Sequence, residues 1–228
     1  MEHSEIDFAT VLASAVHDMK NSLCMLLQSM ESLQQELAPQ STQAAQELAR
    51  IHYEANRLNT NLLQLLALYR IEKDQLPLHF DEYPIDDMID EILVRNQTYS
   101  EQQAIAIEVE CDRSLCWFLD TDLVSNLLND IVVNALRYSQ SKLLIKASVT
   151  EEQLCIEIHD DGSGYPEFML DTASEQMNNL NLAAGRTGLG LFFAHLIAVA
   201  HQNKQKTGRI ALTNGGRFGG GVFRLWLP

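Results

Sequence analysis

The first 75 residues contain no glycine and a single proline, Pro39. Within them Leu12, Val16, Met19, Leu23, Leu26, Met30, Leu33 and Leu37 step by 4, 3, 4, 3, 4, 3, 4. That spacing is a heptad seam along one helix. APQST interrupts it at 38–42, and Leu48, Ile51, Ala55, Leu58, Leu62, Leu65 and Tyr69 resume it. Ser41 or Thr42 is placed to cap the second helix. Two long helices with a short connection predict an antiparallel hairpin. Leu27, Leu63 and Leu66 widen the apolar stripes, so a lone hairpin cannot cover both seams. A symmetric dimer, two hairpins forming a four-helix bundle, is the simplest cover. The alternative is packing against the second half of the same chain.

From about residue 78 the period changes. PIDDMIDEIL (84–93) and DTDLVSNLLNDIVVNALRYS (120–139) read as helices. IAIEVE (105–110), LLIKASV (143–149) and LCIEIHD (154–160) alternate as strands do. RTGLGLFFAHLIAVAHQ (186–202) predicts a helix opened by glycines. RIALTN and GVFRLWLP predict a closing hairpin across NGGRFGGG. LPLHFDEYP, with two prolines, reads as a linker. The expected fold is α+β: a helical hairpin over 1–76, then an α/β sandwich over 77–228 with helices on one face of a mixed sheet.

Composition narrows the function classes. The chain has 228 residues, 46% hydrophobic and 21% charged, which is globular. The net charge of -15 opposes nucleic acid and anionic lipid as partners. No apolar run reaches the roughly 20 residues of a membrane span, and the acidic N-terminus has no signal-peptide pattern. Cys24, Cys111, Cys116 and Cys155 form no C-x-x-C pair and read as small buried hydrophobes in a reducing cytoplasm.

Polar residues mark the candidate sites. In HDMKNSL (17–23), His17 lies one step off the seam, Asp18 is beside it, and Asn21 is one turn on along the same face. A carboxylate can orient the imidazole or accept its proton and leave a nucleophilic nitrogen. A solvated polar face is the alternative. HDDGSGYP (159–166) follows a strand; Gly162 and Gly164 let backbone approach a ligand, and Asp160 or Asp161 can accept from an amine. GRTGLGL (185–191) runs into an apolar helix whose first amides suit phosphate. Asp130 and Asn134 share a helix face, with Arg137 and Tyr138 just beyond, an arrangement able to hold Mg²⁺ and phosphate.

Taken in order, these segments resemble the catalytic core of two-component sensor histidine kinases, with a HisKA-type hairpin and a GHKL (Bergerat) ATPase domain. HDMKNSL resembles the H-box, LLNDIVVNALRYS the N-box, DDGSGYP the G1-box and GRTGLGL the G2-box. YRIEKDQLPL resembles the usual exit from the dimerisation hairpin, and GGGVFRLWLP the family's last strand. The resemblance implies that His17 accepts the γ-phosphoryl group of ATP and that Asp18 is the adjacent acid/base residue. Asn21 would position water for dephosphorylating a response regulator. Asn134 would hold Mg²⁺, Arg137 and Tyr138 would contact phosphate and nucleotide, and Asp160 would bind the adenine amino group. Gly162, Gly164, Gly188 and Gly190 would shape the pocket and its lid, with Asp130, Thr187 and Leu189 in the same binding set. It further implies a cytoplasmic homodimer that passes phosphate to a receiver-domain aspartate and can also act as a phosphatase.

Four departures from the family pattern stand out. Ser22 replaces a frequent proline. Asp130 replaces the first N-box asparagine, where related ATPases carry a glutamate base, so slow ATP hydrolysis is conceivable. Residues 167–185 lack a clear F-box, and their texture suggests a mobile lid. About seven residues precede the hairpin, so the signal is expected from an upstream sensor protein or a sensor domain missing from the sequence. Two other readings remain: a dimeric phosphotransferase adaptor with a degenerate ATP-binding half, and a GHKL ATPase or serine kinase of the anti-sigma type.

Overall fold

The computed structural model describes residues 78–170 and 188–228 continuously, together with residues 19, 22, 23, 25, 26, 29, 30, 51 and 55. The chain divides into two compact units, Met1–Pro77 and Leu78–Pro228.

In the first unit every described residue is helical. Met30 and Ala55, one from each heptad series, are buried in one cluster. Met19, Leu26 and Ile51, also seam positions, are half exposed at 52%, 48% and 50%.

The second unit begins with a strand where the sequence reads as a linker. Phe80–Pro84 (β1) pairs antiparallel with Cys116–Asp120 (β3), from Phe80↔Asp120 to Pro84↔Cys116. The two prolines of LPLHFDEYP bracket this strand rather than break it: Pro77 precedes it and Pro84 is its last residue. A short ribbon tolerates proline at its end, where the missing N–H costs no ladder bond. Pro84, with extended φ -67° and ψ 124°, then caps α1, Ile85–Gln102. Asp86 and Asp87 sit in the first turn, where acidic charge complements the helix dipole. Burial at Ile85, Met88, Ile89, Ile92, Asn96 and Ser100 keeps helical spacing. Just past the helix end, Ala104 has φ 54° and donates its N–H to Glu101 O.

A five-stranded sheet runs in the order β2 (Ala106–Glu110), β4 (Lys142–Thr150), β5 (Gln153–Asp160), β9 (Gly221–Leu227), β8 (Arg209–Asn214). The β2–β4 pair is parallel and the rest are antiparallel, so the sheet is mixed as expected. Inward residues alternate: Leu143, Ile145 and Ala147 face the core beside Ile158, Ile156 and Leu154, and beyond them Phe223, Leu225 and Leu227. Each fully buried aliphatic or aromatic side chain contributes about 1.5–3 kcal/mol. The opposite face mixes buried Leu144, Cys155 and Val222 with charged pairs. Arg224 donates to Glu157 at 2.7 Å, and Lys146 pairs with Glu110 at 3.4 Å.

The helices that cover the inner face are α1, α2 (Thr121–Tyr138) and α4 (Gly188–Ala200), with the single turn α3 (Glu167–Leu170) after β5. Asp120 starts α2 by accepting the Leu123 N–H at 3.0 Å, an aspartate N-cap. Its other oxygen accepts the His79 N–H at 3.0 Å, which ties the start of β1 to α2. After α4, His201 is 1% exposed and accepts the Asp120 N–H on Nε2 at 3.1 Å. The short ribbon β6 (Gln202–Asn203) and β7 (Lys206–Thr207) leads into β8.

Candidate functional site

One face of α2 is apolar: Val124, Leu127, Leu128, Ile131, Val132, Ala135 and Leu136 are buried. The helical period therefore turns Asp130, Asn134, Arg137 and Tyr138 the other way. Asn134, Arg137 and Tyr138 are exposed and Asp130 is partly so. The polar face is thus a by-product of core packing, and it ends where the next segment begins.

That segment is the loop after β5. Asp161 is bound to the end of α2: it accepts from Gln140 N at 2.7 Å, from Ser141 N at 2.9 Å and from Ser141 Oγ at 2.8 Å. Burial alone would raise its carboxyl. The Ser141 hydroxyl and the backbone N–H groups of Ser141, Gln140 and Lys142 instead hold it down to about 2. The sequence leaves both aspartates open as amine acceptors; Asp161 is committed to backbone. Asp160 is 7% exposed and turns inward. Its Oδ1 accepts from Gly162 N at 2.8 Å and from Gly221 N at 3.0 Å. Both donors fall on one oxygen, and Oδ2 takes no hydrogen bond from the described residues.

Glycine is required in this loop. A Cβ at Gly162 would lie 2.4 Å from the Tyr138 carbonyl, so the turn can approach α2 only without a side chain. The close approach brings together Tyr138, Asp160 and Gly162. Gly164, at φ 78°, continues the turn. Gly188, Leu189 and Gly190 open α4. A Cβ at Gly190 would meet nothing within 4 Å, so packing does not explain that glycine. It leaves room beside the first amides of the helix, where an anion is favoured. His17, Asp18, Asn21 and Thr187 lie outside the described residues.

Three contributors were not read from the sequence. Asn214, at the end of β8, holds the Tyr165 peptide from both sides: it accepts from Tyr165 N at 2.7 Å and donates to Tyr165 O at 2.8 Å. Tyr165 lies against Gly221 and near Asp160; burial and that charge push its hydroxyl up from the ordinary value. Gly220 packs so closely that a Cβ there would be 2.4 Å from Asp160 Oδ1. The glycines of NGGRFGGG were legible as a turn.

Among the described residues no group of three or more His, Cys, Asp or Glu forms a metal cage. A Mg²⁺ ion would need ligands beyond Asn134, such as phosphate oxygens and water, which is how Mg²⁺ is usually held.

Residues 119–228 match the family model described as histidine kinase-, DNA gyrase B-, and HSP90-like ATPase. The second unit has this ATPase fold. The chain is 22% identical over 196 residues to the sensor protein SrrB of Staphylococcus aureus, covering 83% of this chain and 34% of SrrB. It therefore spans about a third of the length of the curated relatives it matches. Among solved structures, the Acinetobacter baumannii histidine kinase AdeS aligns at TM-score 0.61 and 21% identity, covering 92% of this chain and 96% of that one. Full-length ShkA in complex with AMPPNP aligns at TM-score 0.64 and 16% identity, covering 96% and 45%. The catalytic domain of histidine kinase ThkA aligns at TM-score 0.55 and 20% identity, covering 66% and 97%. These likenesses show the histidine-kinase ATPase fold. No helix among the described residues is long and apolar enough to cross a membrane.

Proposed function

We propose that the chain is the catalytic core of a histidine autokinase that binds ATP and Mg²⁺ in residues 77–228 and phosphorylates His17 in residues 1–76. The observation that carries the proposal is Asp160: a buried carboxylate with one oxygen fixed by two glycine N–H groups and the other without a hydrogen bond from the described residues. ShkA, of similar fold, was solved with the ATP analogue AMPPNP.

In this reading Asp160 Oδ2 accepts from the adenine amino group, and Gly162 and Gly164 bring backbone close to the base. Asn134 offers an oxygen to Mg²⁺, with Asp130 on the same helix face. Arg137 and Tyr138 contact phosphate and nucleotide. Thr187, Gly188, Leu189 and Gly190 present backbone to the phosphates at the start of α4. The ATP supplies the phosphoryl group, and the protein's part is positioning and charge neutralisation. In the first unit His17 is the nucleophile, Asp18 orients it or takes its proton, and Asn21 serves the water that later removes phosphate from a receiver domain. The burial of Met30 with Ala55 supports a hairpin, and the exposed seam residues Met19, Leu26 and Ile51 support a second copy as their cover. A cytoplasmic homodimer that takes its signal from a sensor protein or domain and passes phosphate to a response regulator completes the reading.

Incubation with γ-labelled ATP tests it. Label that is acid-labile and absent from His17→Ala supports the autokinase; acid-stable label indicates a serine kinase instead. The F-box missing from 167–185 favours one rival, an adaptor that receives phosphate without binding nucleotide. Calorimetry that finds no binding at millimolar ATP would establish that rival.

A further inference from the structure

The β8–β9 turn carries out more than strand reversal. From its start, the Asn214 side chain grips the Tyr165 peptide at both N–H and C=O, at 2.7 and 2.8 Å. The carboxamide also fills the space left by Gly164: a Cβ there would be 2.7 Å from Asn214 Oδ1. From its end, the turn sends Gly221 N to Asp160 Oδ1 at 3.0 Å, and Gly220 lies flat against the same carboxylate. The Tyr165 ring packs on Gly221, its edge 2.9 Å from where a Cβ would be. The ring, the carboxylate and the turn therefore form one closed circuit, with Asn214 as its only side-chain link from β8 to the loop among the described hydrogen bonds.

We propose that Asn214 is a positioning residue for base recognition: by clamping the Tyr165 peptide it fixes the 160–165 loop so that Asp160 Oδ2 faces the exocyclic amine of a purine. The inference rests on the nucleotide reading above and adds a determinant of purine selectivity. Asn214 touches neither base nor phosphate; it acts through Tyr165 and Gly164. Its loss frees a paired N–H and C=O to water at an exposed position, so the fold survives while the loop gains alternative geometries. An acceptor that is held in place prefers adenine, which presents an amine, over hypoxanthine, which presents a carbonyl. An acceptor that wanders loses that preference.

The test is equilibrium binding of ATP and ITP to the 228-residue chain, for wild type, Asn214→Ala and Asn214→Asp, with thermal melting of each. Asp keeps the size and the acceptor but sets a second oxygen against the Tyr165 carbonyl. Wild type should prefer ATP by about tenfold or more, the scale of a hydrogen bond to a charged group. Both variants should lower that ratio by about fivefold or more with little change in melting temperature. A general loss of structure would weaken both nucleotides alike and leave the ratio unchanged. An unchanged ATP-to-ITP ratio in a folded variant overturns the role of Asn214 and leaves the nucleotide reading standing. If Asn214→Ala fails to fold, the ratio in Asn214→Asp decides the matter by the same criterion. Failure of wild type to bind either nucleotide at millimolar concentration overturns both.

Discussion

At the scale of single residues, the two adjacent aspartates of the loop after β5 have opposite duties. Asp161 closes a structural contact with four bonds to Gln140 and Ser141, and in the proposed reading Asp160 keeps one oxygen for a ligand. Asp160→Ala should weaken ATP by about 10- to 100-fold, the cost of a hydrogen bond to a charged group, as read by calorimetry. Asp161→Ala should instead lower the melting temperature, with its effect on nucleotide following from the shift of the loop. A buried histidine gives a dependence on pH. The His201 ring accepts the Asp120 N–H on Nε2, so its proton is on Nδ1, which donates to Ile197 O at 2.7 Å. Burial holds this imidazole below its ordinary value, against the opposing pull of the Ile197 bond and Asp120. A histidine depressed in the folded state contributes stability above the unfolded value, near 6.5, and that stability falls as pH drops below it. The loss is at most about 1.4 kcal/mol per pH unit for one group. Urea melts at pH 7.5 and 5.5 should show the decline, and His201→Gln should reduce it. His159 and His195 are depressed by burial in the same direction, so the residual slope in the variant measures them.

At the scale of elements, sequence patterns were most legible where one face meets the core and the other meets water. The helices at 85–102 and 121–138 carry that contrast, and the strand at 142–150 carries it in part; the strand at 153–160 is buried on both faces and was legible instead as an apolar run rich in β-branched residues. β1 and β3 do not. They form a two-stranded ribbon in which Phe80 and Phe118 are exposed, so hydrophobicity gave no period, and prolines at 77 and 84 suggested a linker. The candidate site divides the same way. Asp160, Gly162 and the polar face of α2 announce themselves within short segments. Asn214 acts on Tyr165 across 49 residues, a pairing no local pattern encodes. The junction after α1 offers a test of helix ending. Ala104 adopts the left-handed φ of 54°, a position that usually belongs to glycine. Ala104→Gly should stabilise the second unit by about 0.5–1 kcal/mol and raise its melting temperature by about 1–4 °C. A lower melting temperature would show that the unfolded chain's added freedom outweighs the relieved strain.

For the whole molecule, the division into two units assigns separable experiments. If His17 is the phosphate acceptor, His17→Ala should abolish labelling and leave ATP affinity intact, because the two sets of residues lie in different units. Light scattering should give twice the 25.7 kDa chain mass; a stable monomer would instead leave Met19, Leu26 and Ile51 to some other cover. The order of the sheet also bears on how the protein is made. β9 lies between β5 and β8, and Gly221 meets Asp160 across 61 residues of sequence. A ribosome adding about 5–20 residues per second leaves β5 without its neighbour for several seconds. During that interval one edge of β5 stands open as a template for a wrong strand. Nascent chains halted at Asn214 should therefore be digested by protease and captured by chaperones. Chains carried far enough to free Leu227 from the exit tunnel should resist both. In this fold the vulnerable moment of biogenesis is set by which strand sits in the middle.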